Sequence, residues 1–192
     1  MVCEIVVMGT SLGGFQALQV VLGDLPKDFP LPIVVTQHRS SEDSGMFAPL
    51  LAAHVHLPVV EIEDKQPINP GQIFIGPPNY HVLIDGRHFA LSTDAPVLHA
   101  RPSIDVLFES AAEVFGPGVV GVLLTGMSRD GTSGLKRIRE CGGWAVVQDP
   151  LTAEGRVMPE AAIESEVVDQ ILPLDKIAAF LMDLPVGQRI KA

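Results

Sequence analysis

Three polar clusters each follow a short apolar run, and together they could perform nucleophilic chemistry. Ser11 lies in the glycine-rich stretch 9–14 (GTSLGG), His38 follows a run rich in β-branched residues, and Asp130 lies in the stretch 125–131. A serine flanked by glycines where a strand turns into a helix exposes its hydroxyl and lets a substrate approach the backbone. The hydroxyl needs a base, which His38 could supply, and Asp130 could stabilise the imidazolium that forms.

Each cluster taken alone also has an ordinary structural interpretation. A glycine-rich turn after a first strand is more often a cradle for phosphate or a dinucleotide than a nucleophile site. Two details disfavour that nucleotide interpretation: Ser11 occupies the position of the second glycine, and His38 stands where a ribose-binding carboxylate is expected. A lone histidine can be a capping residue, and the Asp130-Gly131 pair can be a simple turn. Only the combination of the three loops favours catalysis.

The elements that must position these loops follow a strand–helix alternation. Strand patterns lie at 4–9, 33–36, 58–62, 119–124, 144–148 and 167–172, and helical patterns lie at 15–22, 46–53, 104–115, 135–138 and 174–181. Continuous apolar strands separated by helices predict a doubly wound, mostly parallel, Rossmann-like α/β sheet. Ligands of such sheets bind beyond the carboxyl ends of the strands, where the three polar clusters lie. We expect one domain over residues 1–192.

The segment 72–92 interrupts this alternation, and we expect the whole segment to be antiparallel. Its apolar runs lie at 73–75, 82–84 and 88–91. The last two runs are joined around Asp85-Gly86, which predicts an antiparallel hairpin excursion. His81 and His88 flank this hairpin, and we expect both to be surface residues.

The composition excludes several classes of protein. The chain has 192 residues, of which 47% are hydrophobic, so it can bury a sizeable core. Its net charge is −10, from 13 basic and 23 acidic residues, which disfavours a nucleic-acid partner. Glu4 precedes the first apolar run and Gly9 ends it, so no secretory signal is evident. No run approaches the roughly 20 apolar residues that span a bilayer, and we expect no membrane insertion.

The cysteines and histidines show no pattern typical of a metal site. Cys3 and Cys141 are too few for a disulfide framework, which favours a reducing, cytoplasmic setting. Histidines other than His38 have no accompanying cysteine or carboxylate pattern, and we expect no bound metal.

Taken together, the loops resemble the catalytic domain of the chemotaxis protein-glutamate methylesterase (CheB) family. The matching stretches are GTSLGG at 9–14, TQH at 36–38, RPSIDVLF at 101–108, LLTGMSRDG at 123–131 and VMPEAA at 157–162. They extend through nearly the whole chain in the order found in the family.

The resemblance implies a role for five residues. It makes Ser11 the nucleophile, His38 the general base and then acid, and Asp130 its acidic partner, while the backbone N–H groups of Leu12 and Met127 form the oxyanion hole. The family hydrolyses methyl esters on glutamate side chains in the cytoplasmic region of chemoreceptors and releases methanol; some members also deamidate glutamine. This chemistry uses no metal or organic cofactor.

Two departures from the family pattern limit what the resemblance implies. Members commonly carry an N-terminal receiver domain, whereas this chain begins with the first strand of the catalytic domain, so a separate receiver protein is a candidate partner. The loop 39–45 is more acidic than expected for the family, in which a methionine-proline pair usually follows the histidine. The alternative function is a non-catalytic chemotaxis module that binds receptors through the same surface, which predicts binding without turnover.

Overall fold

A parallel sheet of seven strands forms the centre of the computed structural model, which describes residues 2–39 and 45–187. In chain order the strands are β1 (Ile5–Thr10), β2 (Ile33–Gln37), β3 (Val59–Glu61), β4 (Ile73–Ile75), β5 (His81–Asp85), β6 (His88–Ser92), β7 (Val119–Leu123), β8 (Trp144–Gln148) and β9 (Gln170–Leu172). The main sheet has the order β3-β4-β2-β1-β7-β8-β9 with every pair parallel. The strands β5 and β6 form a separate antiparallel pair.

Within the described residues, six α-helices cover the two faces of this sheet. They are α1 (Gly14–Gly23), α2 (Phe47–Ala52), α3 (Ile104–Phe115), α4 (Thr132–Glu140), α5 (Val157–Glu164) and α6 (Leu174–Met182), and short 3-10 turns lie at Gly116–Gly118 and Pro150–Thr152. The predicted doubly wound, mostly parallel α/β fold with an antiparallel hairpin is confirmed. No helix within the described residues combines the length and the apolarity needed to cross a bilayer.

The central strand β1 explains why the core has two halves. All six of its residues are buried, so its apolar run packs on both faces of the sheet. Val6 and Met8 belong to the cluster beneath α1, α2 and α6. Ile5 and Val7 belong to the cluster beneath α3, α4 and α5. Alternate residues of one strand therefore join the two halves of the core.

The register of β1 with its neighbours places three loops at one edge of the sheet. Thr10 pairs with Gln37 at the end of β2, and Gly9 pairs with Leu123 at the end of β7. Because these strands are parallel, the segments that follow them leave the sheet side by side.

The prediction that the whole segment 72–92 is antiparallel was wrong for its first run. Residues 73–75 form β4, which pairs in parallel with both β2 and β3. All three are fully buried, as expected for an interior parallel strand covered on both faces. Among the strands that the structure describes, only β5 and β6 are joined by a tight turn. A tight turn can join antiparallel strands, whereas parallel strands need a longer crossover.

Helix α5 is an element that the sequence patterns missed. It is short and has Pro159 in its first turn, where proline is tolerated because the N–H groups there lack helical acceptors. The last strand is also shorter than predicted, since it begins at Gln170 instead of Val167. In the acidic loop after His38, positions 40–44 lie outside the described residues.

Candidate active site

Ser11 is the first residue after β1, at the turn into α1. Its N–H donates to the carbonyl of Thr125 (2.9 Å), and its own carbonyl accepts from the N–H of Gly14 (2.9 Å). Gly13 has a φ of 75°, a left-handed conformation that residues with a side chain rarely adopt. The glycines of the motif therefore allow the sharp turn that leaves Ser11 partly exposed at the edge of the sheet.

His38 leaves β2 next to Ser11 because the two strands are paired in register. The N–H of His38 donates to the carbonyl of Thr10 (3.0 Å), which extends the ladder one step past the strands. The side-chain amide of Gln37 donates to the carbonyls of Ser11 (2.9 Å) and His38 (3.0 Å). This amide fixes the two loops relative to each other.

Asp130 is fully buried and accepts four hydrogen bonds. Its Oδ2 accepts from His38 Nε2 (2.7 Å) and from the N–H of Ile104 (2.7 Å). Its Oδ1 accepts from the Ser103 hydroxyl (2.8 Å) and from the N–H of Asp105 (3.0 Å). Three of these donors belong to the start of α3, so the carboxylate caps a helix that precedes it in the chain.

The same contacts determine the charge of Asp130. Burial alone would raise the pKa of its carboxyl, but the hydrogen bonds from His38, Asp105, Ile104 and Ser103 outweigh burial and leave the pKa below its ordinary value. The side chain is therefore an anion, placed to stabilise a positive charge on His38.

Asp105 makes the reciprocal contact and was not among the predicted site residues. It lies in the first turn of α3, and its Oδ1 accepts from the N–H groups of Gly131 (2.9 Å) and Gly134 (2.7 Å) at the start of α4. Burial raises its pKa to about 6, and the charge of Asp130 adds to this effect while the two backbone hydrogen bonds oppose it. Asp130, just before α4, therefore caps α3, and Asp105, in the first turn of α3, caps α4.

The expectation that His81 is a surface residue was wrong, whereas His88 is exposed as expected. His81 is 2% exposed. Its Nδ1 accepts from the N–H of Ser103 (3.2 Å), and its Nε2 donates to the carbonyl of Ala95 (3.2 Å). The loop between β6 and α3 covers this histidine, and no local sequence pattern indicates such a contact.

Thr125 connects the serine turn to two further loops. Its hydroxyl donates to the carbonyl of Leu12 (2.8 Å) and accepts from the N–H of Gly155 (2.7 Å), while its own N–H donates to Gln148 (2.9 Å). A Cβ at Gly126 would lie 1.9 Å from the sulfur of Met158 and 2.9 Å from the Cβ of Ser11. Only glycine allows the β7 loop to approach the serine this closely.

Leu12 and Met127 lie on these two facing loops, with side chains 50% and 57% exposed. Within the part of the chain that the structure describes, the backbone N–H of neither residue donates a hydrogen bond. Both amides are therefore available to an oxygen of a ligand.

The structure brings His38 and Asp130 into direct contact and places Ser11 on the neighbouring loop. Across residues 2–39 and 45–187, no hydrogen bond joins the Ser11 hydroxyl to the His38 ring. Because Nε2 of the ring bonds to Asp130, Nδ1 is the nitrogen left to receive a proton. The same described residues contain no cluster of three or more histidine, cysteine or acidic side chains that could hold a metal ion.

A parallel sheet with a serine and a histidine–aspartate pair at its carboxyl edge defines an α/β enzyme with the parts of a carboxylic ester hydrolase. The chain belongs to the CheB methylesterase family, whose model matches residues 6–181. The structure is similar to the crystal structure of the Thermotoga maritima CheB methylesterase catalytic domain, with a TM-score of 0.92 and 33% identity over 95% of this chain and 99% of that chain.

Two curated relatives show how the chain compares in length. It is 45% identical over 182 residues to a putative protein-glutamate methylesterase/protein-glutamine glutaminase of Leptospira interrogans, covering 94% of both chains. It is 41% identical to the protein-glutamate methylesterase FrzG of Myxococcus xanthus, covering 93% of this chain and 54% of that protein. The chain therefore spans nearly all of one relative and about half of the other.

Proposed function

We propose that this chain hydrolyses γ-methyl esters of glutamate side chains in the cytoplasmic region of chemoreceptors, using Ser11, His38 and Asp130. The observation that carries the proposal is the 2.7 Å hydrogen bond between His38 and the buried Asp130, next to a serine on the adjoining strand end. Membership of the CheB methylesterase family supports the reaction type. Two relatives that the chain resembles are named for glutamate methylesterase activity.

In the proposed first step, Ser11 Oγ forms a bond to the ester carbonyl carbon and its proton moves to His38 Nδ1. The other ring nitrogen, Nε2, donates to Asp130 Oδ2 throughout, so the imidazolium forms beside a carboxylate that is already ionised. The negative charge on the carbonyl oxygen develops where the amides of Leu12 and Met127 are free to donate. Removing one such donor costs about 3–4 kcal/mol of transition-state stabilisation in a serine hydrolase.

The second half of the reaction returns the enzyme to its starting state. His38 gives its proton to the leaving methoxide, so methanol departs and a glutamyl ester remains on Ser11. His38 then removes a proton from water, whose oxygen attacks that ester. As the bond between the acyl carbon and Ser11 Oγ breaks, His38 gives this proton to Ser11 Oγ, and the glutamic acid product loses its own proton to solvent and leaves as the carboxylate. The same steps applied to a primary amide would deamidate glutamine and release ammonia, in agreement with the double name of the Leptospira relative.

The proposed substrate and location follow from this assignment. The partner is the methylated cytoplasmic region of a chemoreceptor, and a separate receiver protein is a candidate regulator. Both place the reaction in the cytoplasm.

Methanol release from a methylated receptor fragment tests the proposal. We expect the Ser11→Ala variant to lose activity by a factor on the order of 10⁵–10⁶, to the background rate, because serine and histidine act as a unit. The matched control is Ser133→Ala, which changes an exposed serine on α4 and should release methanol at the wild-type rate. Equal release by wild type and Ser11→Ala would remove Ser11 from the mechanism, and receptor binding without turnover by the wild type would favour the non-catalytic alternative.

A further inference from the structure

A cleft of about 330 Å³ opens beside His38, at the low end of the roughly 300–1,000 Å³ range of ligand sites. Its lining includes His38, Arg39, Leu98, His99, Arg101 and Ser128. His38 and Ser128 belong to the loops of the candidate active site, and most of the other lining residues belong to the loop before α3. A substrate whose ester lies at Ser11 would therefore extend past His38 into this cleft.

The ionisable lining of the cleft is basic in an acidic protein. Besides His38, three of the described lining residues, Arg39, His99 and Arg101, carry basic side chains, and none of the described lining residues carries a carboxylate, although the chain has a net charge of −10. The charge of Arg39 is compensated, because its Nη1 lies 3.0 Å from a carboxylate oxygen of Glu61. Among the residues that the structure describes, none places a carboxylate within ion-pair distance of Arg101.

The contacts of Arg101 fix its guanidinium group but leave it without an anion. Its Nη1 donates to the carbonyls of Thr93 (2.8 Å) and Asp94 (3.0 Å). Its Nε is buried and has no acceptor. A buried donor without a partner is uncommon in folded proteins and energetically costly. No hydrogen bond within the described residues uses Nη2, so this nitrogen is the donor left for a bound acceptor.

The backbone of the same loop adopts an uncommon conformation at the cleft. Leu98 and His99 have φ values of 47° and 66°, in a turn closed by hydrogen bonds between Val97 and Ala100 in both directions. Two successive left-handed residues normally require Asn-Gly or a similar pair. Such backbone strain persists where the surrounding structure imposes it, most often at ligand sites.

We propose that Arg101 is a specificity-determining residue, which binds the carboxylate of an acidic side chain close to the methylated glutamate in the substrate. Arginine suits this role because its guanidinium group keeps its positive charge and donates charge-assisted hydrogen bonds to carboxylates. The inference rests on the proposed function, since the position of the cleft next to His38 relates the carboxylate to the ester. The net charge of −10 by itself would make the protein repel an acidic peptide. The proposal predicts the opposite, a preference for the acidic peptide over a neutral one.

The test uses two peptides of equal length that contain one γ-methyl glutamate residue. One carries Glu beside it, and the other carries the neutral isostere Gln. We expect the wild type to hydrolyse the Glu peptide with a kcat/KM about 10-fold higher, mainly through a lower KM, because the charge-assisted hydrogen bond adds binding free energy of about 1.4 kcal/mol, which corresponds to this factor. The preference should decrease as salt screens the charges.

The Arg101→Gln variant should hydrolyse the two peptides with equal kcat/KM. The matched control, Arg137→Gln, removes one exposed positive charge from α4 and should keep the wild-type preference. A wild type that treats the peptides equally, or an Arg101→Gln variant that still prefers the Glu peptide, would overturn the proposal.

A binding measurement separates this proposal from the proposed function. In titration calorimetry with the Ser11→Ala protein, glutamine replaces the methyl glutamate, so the only acidic group compared is the neighbouring one. We expect the peptide with the Glu neighbour to bind about 10-fold more tightly, and Arg101→Gln to abolish the difference. That result without any methanol release by the wild type would reject the esterase function while retaining the subsite; equal binding of the two peptides would reject the subsite.

Discussion

At the scale of single residues, Asp130 accepts three hydrogen bonds in addition to the one from His38. It accepts hydrogen bonds from the histidine ring, from a serine hydroxyl and from two backbone N–H groups, all of them donors. A carboxylate can satisfy four donors because both of its oxygens are acceptors. The residue therefore serves the chemistry of the site and the start of α3 at the same time.

We predict that Asp130→Asn impairs both activity and stability. The amide NH₂ would face two of the donors, which should lower the free energy of unfolding by about 1–3 kcal/mol. The loss of the anion should lower kcat by about 10⁴-fold. Methanol release and urea unfolding measure the two effects, with Asp28→Asn, an exposed aspartate, as the control. Full stability with full activity in Asp130→Asn would contradict the four-donor contact.

His81 shows how far the support of this carboxylate extends. Its ring accepts from the N–H of Ser103, whose hydroxyl donates to Asp130. A buried histidine therefore orients one of the donors to Asp130 without contacting Asp130 itself.

At the scale of elements, helices α3 and α4 are joined at their N-termini by exchanged carboxylates. Asp130 caps α3, and Asp105 in α3 caps α4. A negative charge is favourable at either N-terminus, but the two carboxylates disfavour each other's ionisation. The pKa of Asp130 is the lower of the two because its carboxylate accepts more hydrogen bonds, one of them from the ring of His38.

We predict that Asp105→Asn changes the pH dependence of stability. The pKa of Asp105 in the folded protein is about 6, above its ordinary value of 3.8, so the folded state binds this proton more tightly than the unfolded chain does. Its contribution to stability is therefore present below about pH 4, is lost as the pH rises to about 6, and amounts to at most about 3 kcal/mol.

Asparagine keeps an oxygen for the two glycine N–H groups and does not ionise. Relative to the wild type, Asp105→Asn should therefore become more stable as the pH rises from 4 to 7, as measured by urea unfolding at each pH. The Glu113→Gln control on the exposed side of α3 should follow the wild type. A constant difference between Asp105→Asn and wild type at every pH would show that ionisation of Asp105 is not involved.

The loop after β7 gives a second prediction at this scale. In Gly126→Ala, the added methyl group would overlap Met158 and press on Ser11, so the loop must move away from the serine. We expect a loss of at least 10²-fold in kcat, because small displacements of positioning groups are that costly. Gly86→Asn is the control, since a Cβ there meets no atom within 4 Å and asparagine tolerates its positive φ. Unchanged turnover by Gly126→Ala would show that this loop does not position the reacting groups.

At the scale of the whole molecule, one sheet connects both halves of the core. Leu22 lies in the cluster beneath α1, and Leu107 lies in the cluster beneath α3, each fully buried. Since β1 contributes alternate residues to both clusters, neither half can lose its packing without exposing the strand that the other half covers.

We therefore predict that Leu22→Ala and Leu107→Ala each lower the free energy of unfolding by about 2–5 kcal/mol, as expected for cavities in a core. Both variants should unfold in one transition, with the same midpoint in circular dichroism and in the fluorescence of Trp144, the chain's single tryptophan, whose ring centroid lies 5.6 Å from that of Phe180. Two separate transitions would contradict this coupling and the prediction of one domain over residues 1–192.

Much of the fold was readable because it depends on local patterns. The strand Trp144–Gln148 was predicted with its exact bounds, and α3 was predicted over its full length, since apolar periodicity and the glycines that end an element are properties of neighbouring residues. Helix α5 was missed because it is short and does not alternate clearly between apolar and polar faces. The parallel partners of β4 were missed because pairing between distant strands has no local signal.

The sequence by itself determined which residue types follow which strands, so it identified Ser11, His38 and Asp130 as candidates, and their roles remain proposals. Only the tertiary structure decided that β2, β1 and β7 are neighbours, that His38 uses Nε2 to reach Asp130 across 92 positions, and that Asp105 and His81 support this contact. The physical reason is that turns and periodicity depend on adjacent residues, whereas the order of parallel strands and the capping of one helix by another depend on packing of the whole chain.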